Sequence, residues 1–524
     1  MKKLLSILFI ATFLNGLSWL VLIPIWQYPD EQAHFAQVQD MAETENVYIK
    51  KNFDTSYEIA LSEIILGTAR NTFGNNKFVY NPYFRIEYSN TQYGLREFEI
   101  QALSKQSRRL MVKDEATKNP PLYYYLGSII YRLVYDGSIF TRVFAVRILS
   151  LLFFSLSVFV TYKIGEIVFE KDKLLSLTLP TLVAFKPMIV FSSTGVLPDS
   201  LTNLLFSVIL LMSLKIIKGE LNFVNLTLAA LTIIFGVITR QQFLISFLIL
   251  IFAIILRVKS NFQSVRHVIF VIVIFLLFLL FANRYGLNVP IISHFRLAEL
   301  LNLNIEKISL YSFLDYAIWT LKHTFSEVWP WYWGVYRWLS LTLPPIYYQI
   351  VNRLIILAAM GLVIKFAILF RKKEIKKYDV YLIFLVLTSF IYFTIITVWD
   401  YLFKLKSGFS FGIQGRYFFP LVTAHMAILV YGFWQIFSIL LKKFKNYAIL
   451  FIVLLMILFN DLTIYHIALS YYETSNLEIF ITQASQYKPY FIKGLPIITI
   501  LVGTVFSQII YILLLNRYVR RGKI

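Results

Sequence analysis

The first 35 residues, MKKLLSILFIATFLNGLSWLVLIPIWQYPDEQAHF, decide the architecture. Lys2 and Lys3 open an apolar run lasting to Pro24. At about 20 residues it is long enough to cross a hydrocarbon core of ~30 Å. It is long for a secretory leader and no small-residue cleavage site follows, so it reads as a retained first span with its basic end in the cytoplasm. Directly beyond stands Tyr28-Pro29-Asp30-Glu31-Gln32-Ala33-His34-Phe35. Proline at a first helical position with acids in the first turn favours a helix start there. On that helix Asp30 and His34 lie one turn apart on the same face.

Working outward, the 524 residues are 58% hydrophobic and only 15% charged, too little charge for the surface of a soluble chain of this length. Repeated apolar runs of spanning length make this an all-α polytopic membrane protein. The net charge of +21 would suggest nucleic acid in a soluble protein. Here the basic residues cluster between apolar runs, at Lys163 to Lys173, Lys215 to Lys218, Arg257 to Arg266, Arg371 to Lys377, Lys442 to Lys445 and Arg517 to Lys523. That is the pattern of cytoplasmic turns, and nucleic acid is set aside. Neighbouring clusters leave room for a pair of spans, so the turns at Thr194 to Ser200, Arg240-Gln241, Asn283 to Ile350, Asp400 to Arg416 and His466 to Lys493 fall on the outer face. The count comes to about twelve spans, within a range of 11–13. The short, Tyr-rich segment from Pro120 to Tyr135 is expected to lie in the interface, because a crossing there would break the parity.

One membrane domain, residues 1–524, is expected, with no separate soluble terminal domain. Two outer loops are large. Residues 26–118 hold 13 of the 29 acidic residues beside 11 basic ones, which predicts a small folded layer carrying interfacial helices. Residues 283–350 are aromatic and near neutral. The absence of Cys excludes thiolate metal sites and disulfides.

A carboxylate at Asp30, a second at Glu31 and an imidazole at His34 stand together at the outer membrane surface. Such a group deprotonates an attacking hydroxyl or binds a divalent metal; the bland alternative is acids complementing a helix dipole beside an interfacial histidine. Arg240 sits between two apolar runs, where an unpaired cation is costly, and either binds phosphate or snorkels to the surface. The cluster from Trp329-Pro330-Trp331-Tyr332-Trp333-Gly334 to Trp338 reads as an aromatic belt or as a sugar-stacking platform. His294, His323 and His466 also fall outside, but no spacing selects one as a metal ligand.

Pro29 to His34 resembles the first-loop acidic motif of the GT-C superfamily of integral-membrane glycosyltransferases. Together with Gln414-Gly415-Arg416-Tyr417-Phe418-Phe419-Pro420 it is similar to a bacterial branch sharing Pro-Asp-Glu-x-x-His and Gln-Gly-Arg-Tyr-x-x-Pro. Asn119-Pro120-Pro121-Leu122-Tyr123-Tyr124, Arg147-Ile148-Leu149-Ser150 and Leu197-Pro198-Asp199 resemble, in order, segments of the more distant lipid A aminoarabinose transferases. Protein O-mannosyltransferases are distant kin of the same pattern. The resemblance implies a GT-C-like fold in a bacterial cytoplasmic membrane, with an extracytoplasmic site. It implies a polyprenyl-phosphate sugar as donor, its tail in a groove between spans, and a surface glycan or lipid as acceptor. It implies Asp30 as general base and Asp199 as a second acid for acceptor or metal. Glu31 then raises the proton affinity of Asp30 or ligates metal. Arg416 suits bidentate phosphate contact, with Tyr417 and His34 beside it in substrate binding. A transporter or flippase of lipid-linked glycans, or a polysaccharide polymerase, is the alternative; the lack of an evident repeat and the concentration of polar residues in outer loops weigh against transport.

Overall fold

A computed structural model describes residues 2–47, 54–69, 86–113, 119–170, 172–257, 310–337, 341–372 and 376–521. Helices dominate them, because backbone in hydrocarbon must satisfy its own N–H and C=O groups. The chain opens with α1 (Lys2–Leu22) and turns into α2 (Glu31–Thr44). An antiparallel ribbon of β1 (Asp54–Ser56) and β2 (Met111–Lys113) brackets α3 (Tyr57–Leu66) and α4 (Tyr93–Gln101). Next come α5 (Leu122–Leu133) and α6 (Ile139–Val168), the latter started by Ser138, whose Oγ accepts from the Thr141 N–H at 3.4 Å. With 12 residues, α5 is too short to cross a bilayer, as its reading as an interfacial segment requires.

α7 (Lys173–Ala184) and α8 (Pro187–Thr194) form one apolar segment bent by 57°. Pro187, which has no N–H, stands just past the break. α9 (Asp199–Lys218) ends in Lys215, Lys218 and a left-handed Gly219, as a helix end at a basic membrane surface should. α10 (Phe223–Val237) and α11 (Ile245–Arg257) are joined by a turn through Arg240. Further on stand α12 (Leu310–His323), the short α13 (Trp329–Gly334), and the ribbon of β3 (Val335–Tyr336) with β4 (Leu341–Thr342). The last six helices are α14 (Pro345–Lys372), α15 (Lys377–Ser407), α16 (Val422–Leu440), α17 (Lys445–Tyr472), the small α18 (Leu477–Ala484) and α19 (Leu495–Arg520).

Among the described residues, eight helices are long and apolar enough to span a membrane, or nine if the bent pair counts as one span. Two more apolar helices, Phe223–Val237 and Gln241–Arg257, are shorter. The sequence reading placed about twelve; one of those, between Arg266 and Asn283, lies outside the described residues. α10, at about 22 Å, falls short of the ~30 Å core. Its end therefore delivers Arg240 into the bundle instead of to a far surface.

α6 packs along α9, α1 along α19, and α14 along α16. In the last pair Gly361 and Gly432 face each other so closely that a β-carbon on either would strike backbone of the other helix. Small residues at such crossings let backbones approach where no hydrophobic effect drives association.

The first large loop does fold into a layer, with one departure from expectation. α2 is polar yet buried along its length from Glu31 to Glu43, and so is no surface helix. Several of its polar groups are satisfied internally. Gln39 donates to Glu58, and Arg142 of α6 donates to Glu58 and, at 2.6 Å, to the Tyr131 hydroxyl. The buried Glu58–Arg142 pair fastens the layer to the bundle.

Candidate active site

Asp30 is positioned by a turn. Between α1 and α2 the chain reverses through Trp26 and Asp30, both left-handed with φ of 60° and 57°. Aspartate tolerates that region; tryptophan does so only when held. The Trp26 indole donates to Ser62 at 3.0 Å and its backbone N–H to Glu31 at 3.1 Å.

Glu31 completes the turn. Its oxygens accept from Arg147 Nε at 2.7 Å and Nη2 at 2.5 Å, and from the backbone N–H groups of Trp26 and of Val196, the latter at 3.2 Å. Arg147 also donates to the carbonyls of Ile23 at 2.9 Å and Pro24 at 2.8 Å. One buried ion pair thus joins the end of α1, the start of α2, α6, and the loop leading to Asp199. Gly195 in that loop has no room for a β-carbon, because the Tyr28 ring lies against it. Beside it, the Tyr28 hydroxyl meets Thr194 at 2.8 Å.

Asp30 meets an arginine from far along the chain. Arg416 Nη2 donates to Asp30 Oδ2 at 3.2 Å, across 386 residues of sequence. Arg416 sits in a 3₁₀ turn, Gly415–Leu421, that precedes α16; Tyr392 of α15 ties the turn down by donating to the Tyr417 carbonyl at 2.9 Å. The Arg416 guanidinium lies 6.0 Å from the Tyr417 ring centre. A second pair stands alongside: Arg240 Nη1 donates to Asp199 Oδ1 at 2.5 Å. Among the described residues Asp199 Oδ2, Arg416 Nε and Arg416 Nη1 are buried with no hydrogen-bond partner, as is the Asn203 side-chain amide nitrogen one turn on in α9.

His34 is buried against Tyr124, its Nδ1 2.7 Å from the hydroxyl, which also accepts from Asn119 at 3.1 Å. Burial pushes the imidazole down to about 3; Arg240 and Arg416 act in the same direction and Asp30 opposes them. It is therefore a neutral hydrogen-bonding group at physiological pH. Tyr417 lies within electrostatic reach of Arg416, Arg240, Asp30 and Asp199. Six of the seven residues expected from sequence thus converge where four separate turns meet, and Glu31 lies behind them as a fastening.

Two rings of the aromatic segment, Tyr332 and Trp333, act as neither a belt nor an open platform. Tyr332 and Trp333 are buried and, with Phe419, surround Lys186, whose ammonium lies 3.8, 5.0 and 4.6 Å from the three ring centres. Lys186 also donates to the Tyr332 carbonyl. Sequence reasoning passed over this lysine, although a cation inside an apolar run and beside a proline is itself a signal. Gly415, just before Arg416, packs against the Tyr332 backbone with no space for a side chain. His425 Nδ1 meets the Tyr332 hydroxyl at 2.9 Å. Trp338 and His294 lie outside the described residues. His323 stacks on Trp319 with ring centres 5.0 Å apart.

Among the described residues no group of three or more His, Asp or Glu side chains is arranged to hold a metal ion. Asp30 and Asp199 are each paired with a guanidinium.

Residues 13–424 match the family described as predicted membrane protein (DUF2142), and the chain belongs to it. No curated protein sequence matches it. Among solved structures, the chain is similar to the Archaeoglobus fulgidus oligosaccharyltransferase in its apo form (13% identity, TM-score 0.43), covering 93% of this chain and 56% of that one. It is similar to the same organism's AglB in complex with an inhibitory peptide and a dolichol-phosphate (14%, 0.45; 89% and 55%). Another similar structure is ArnT from Cupriavidus metallidurans bound to undecaprenyl phosphate (10%, 0.41; 96% and 76%). The chain spans just over half the length of the archaeal oligosaccharyltransferase.

Proposed function

We propose that this chain is a membrane glycosyltransferase that moves a sugar from a polyprenyl-phosphate donor to an acceptor hydroxyl on a surface glycan or lipid. The observation that carries the reading is the Asp30–Arg416 pair: a part-exposed carboxylate beside one guanidinium nitrogen, while the two others have no hydrogen-bond partner among the described residues. Proton acceptance and phosphate binding are thereby set side by side.

The acceptor oxygen attacks the anomeric carbon and its proton passes to Asp30. The bond from that carbon to the phosphate oxygen breaks, and the electron pair leaves with the lipid phosphate. Arg416 stabilises the charge as it develops on the departing oxygen, in the manner of preorganised donors generally. Asp199 Oδ2 and the Asn203 amide, both unpartnered, suit hydroxyls of the sugar or acceptor. Arg240 holds Asp199 in place, His34 contributes a neutral ring, and Tyr417 borders the phosphate position. Glu31 is a positioning residue, since its carboxylate is spent on Arg147 and two backbone N–H groups. Lys215 and Lys218 end α9, the helix that Asp199 begins. By the positive-inside rule this supports a site on the extracytoplasmic face, as proposed for a bacterial cytoplasmic membrane.

The test is transfer of radiolabel from a panel of polyprenyl-phosphate sugars to surface-glycan extract by purified protein in nanodiscs. Wild-type transfer that disappears in folded Asp30→Asn is expected. Equal transfer by both proteins removes Asp30 from the mechanism. Transbilayer movement of a donor without transfer identifies a flippase instead.

A further inference from the structure

A groove of about 320 Å³ lies between α1, α17 and α19, and none of the residues of the proposed reaction lines it. Its walls include Ser18, Leu22, Tyr465, Leu501 and Thr504, and they are overwhelmingly apolar. Besides the hydroxyls of Ser18, Tyr465, Thr474, Ser475 and Thr504, they carry one carboxylate, Asp461, near the middle of α17. Its Oδ1 accepts from Asn460 at 3.1 Å and from Gln508 of α19 at 2.9 Å. Asn460 continues the network to Asn15 of α1 at 2.7 Å, and the Trp19 indole donates to Asn460 at 3.1 Å. These bonds are enough to hold the three helices together. They use one oxygen of Asp461 and leave Oδ2 without a hydrogen-bond partner among the described residues, on a side chain that lines the groove.

Interhelical glue does not require that arrangement. Asn460 alone bridges α1 and α17, and an asparagine at 461 would accept from Gln508 equally well. A carboxyl at mid-membrane depth is costly wherever it meets hydrocarbon. No Lys, Arg or His among the described residues acts on Asp461 electrostatically. The helix faces flanking the groove, at Leu458, Leu462, Val502 and Val505, are exposed, so the groove opens towards the bilayer. A lipid tail would fill the apolar walls but would leave Oδ2 facing methylene groups. A helix laid along α17 and α19 fills the walls with its apolar side chains and meets Oδ2 with a donor.

We propose that this groove is the docking site for a transmembrane helix of a partner protein carrying a basic side chain at the depth of Asp461. The pairing is between Oδ2 and that cation, shielded by the apolar walls. It makes no use of the proposed transfer reaction, and its test does not depend on activity.

The probes are two synthetic leucine-alanine transmembrane peptides, identical except for Lys or Leu at the central position. Each is titrated by energy transfer against labelled full-length protein in phosphatidylcholine vesicles. Wild type should bind the Lys peptide about tenfold more tightly than the Leu peptide, in line with polar contacts between membrane helices. Asp461→Asn should erase the preference. Leu501→Trp, which fills the groove and leaves the carboxyl network alone, should weaken binding of the Lys peptide and serves where the first variant folds poorly. Equal binding of both peptides by wild type overturns the proposal. So does a Lys preference that survives Asp461→Asn, and so does self-association of the protein that is lost in Asp461→Asn without any peptide preference, which would assign the groove to a second copy of this chain.

Discussion

Asp30 and Glu31 are adjacent carboxylates in one motif, each paired with an arginine, yet the fold treats them oppositely. Glu31 is fully buried and receives two bonds from Arg147 and two from backbone N–H groups. Asp30 keeps about a quarter of its side-chain exposure and meets Arg416 at 3.2 Å, and two Arg416 nitrogens have no hydrogen-bond partner among the described residues. A saturated pair has nothing left to offer a substrate. An undersaturated pair at the meeting point of four turns has both a proton acceptor and donors to spend. The difference teaches that the chemistry of a buried ion pair lies in what the partners leave unsatisfied, not in the residue types.

The comparison breaks first at Asp30. Asp30→Asn should cut transfer by about 10²–10⁴-fold, the usual worth of a positioned base, while leaving thermal stability close to wild type. A stability loss as large as that of a Glu31 variant would show that Asp30 is structural too. Glu31→Gln should show the reverse, losing about 3–5 kcal/mol in unfolding from mixed micelles because Arg147 is left as an uncompensated buried charge. Activity per folded molecule should then stay within a few fold of wild type. Adding Arg147→Met should recover part of the loss, since removing both charges costs less than orphaning one.

Arg416→Lys sharpens the contrast. A lysine keeps the charge and loses the planar fork, so it can still hold Asp30 but cannot reach a second oxygen. Transfer should fall about 10²-fold, mainly in turnover. A fall in apparent affinity alone would place Arg416 in ground-state binding. The smallest effect concerns His34. Its folded-state value, near 3, lies below the unfolded value near 6.5, so on acidification the unfolded chain takes up a proton that the native one refuses. Stability contributed by the neutral ring is complete above about pH 6.5 and declines as pH falls towards 3. Between pH 7 and 5, wild type should lose about 1–2 kcal/mol more than His34→Gln. Parallel pH profiles for the two proteins would mean that the ring is hydrated in the native state.

Much of this was legible from patterns with a period or a parity. The lengths of apolar runs identify membrane helices, and basic clusters sort the turns to two faces. That parity already placed Asp30, Asp199, Arg240 and Arg416 on one side, and their motifs singled them out as residues. Which carboxylate meets which guanidinium was illegible. Spacing along the chain carries no trace of a contact between Asp30 and Arg416, or of Arg147 threading from α6 to Glu31. The aromatic segment from Trp329 was misjudged for the same reason. Its rings enclose Lys186, and only the bend between α7 and α8 brings that lysine among them.

The sequence by itself thus determined that the chain lies in a membrane, which ends of its helices share a face, and which polar residues are candidates for chemistry. Each of these depends on local transfer free energies, which add up along the chain. Tertiary structure alone decided that Glu31 is a fastening while Asp30 stays open, and that Arg240 is drawn to Asp199. It also decided that Asp461 turns a free oxygen into a groove. These outcomes depend on which groups desolvate one another across hundreds of residues, and a partner's distance in space is not written in its distance along the chain.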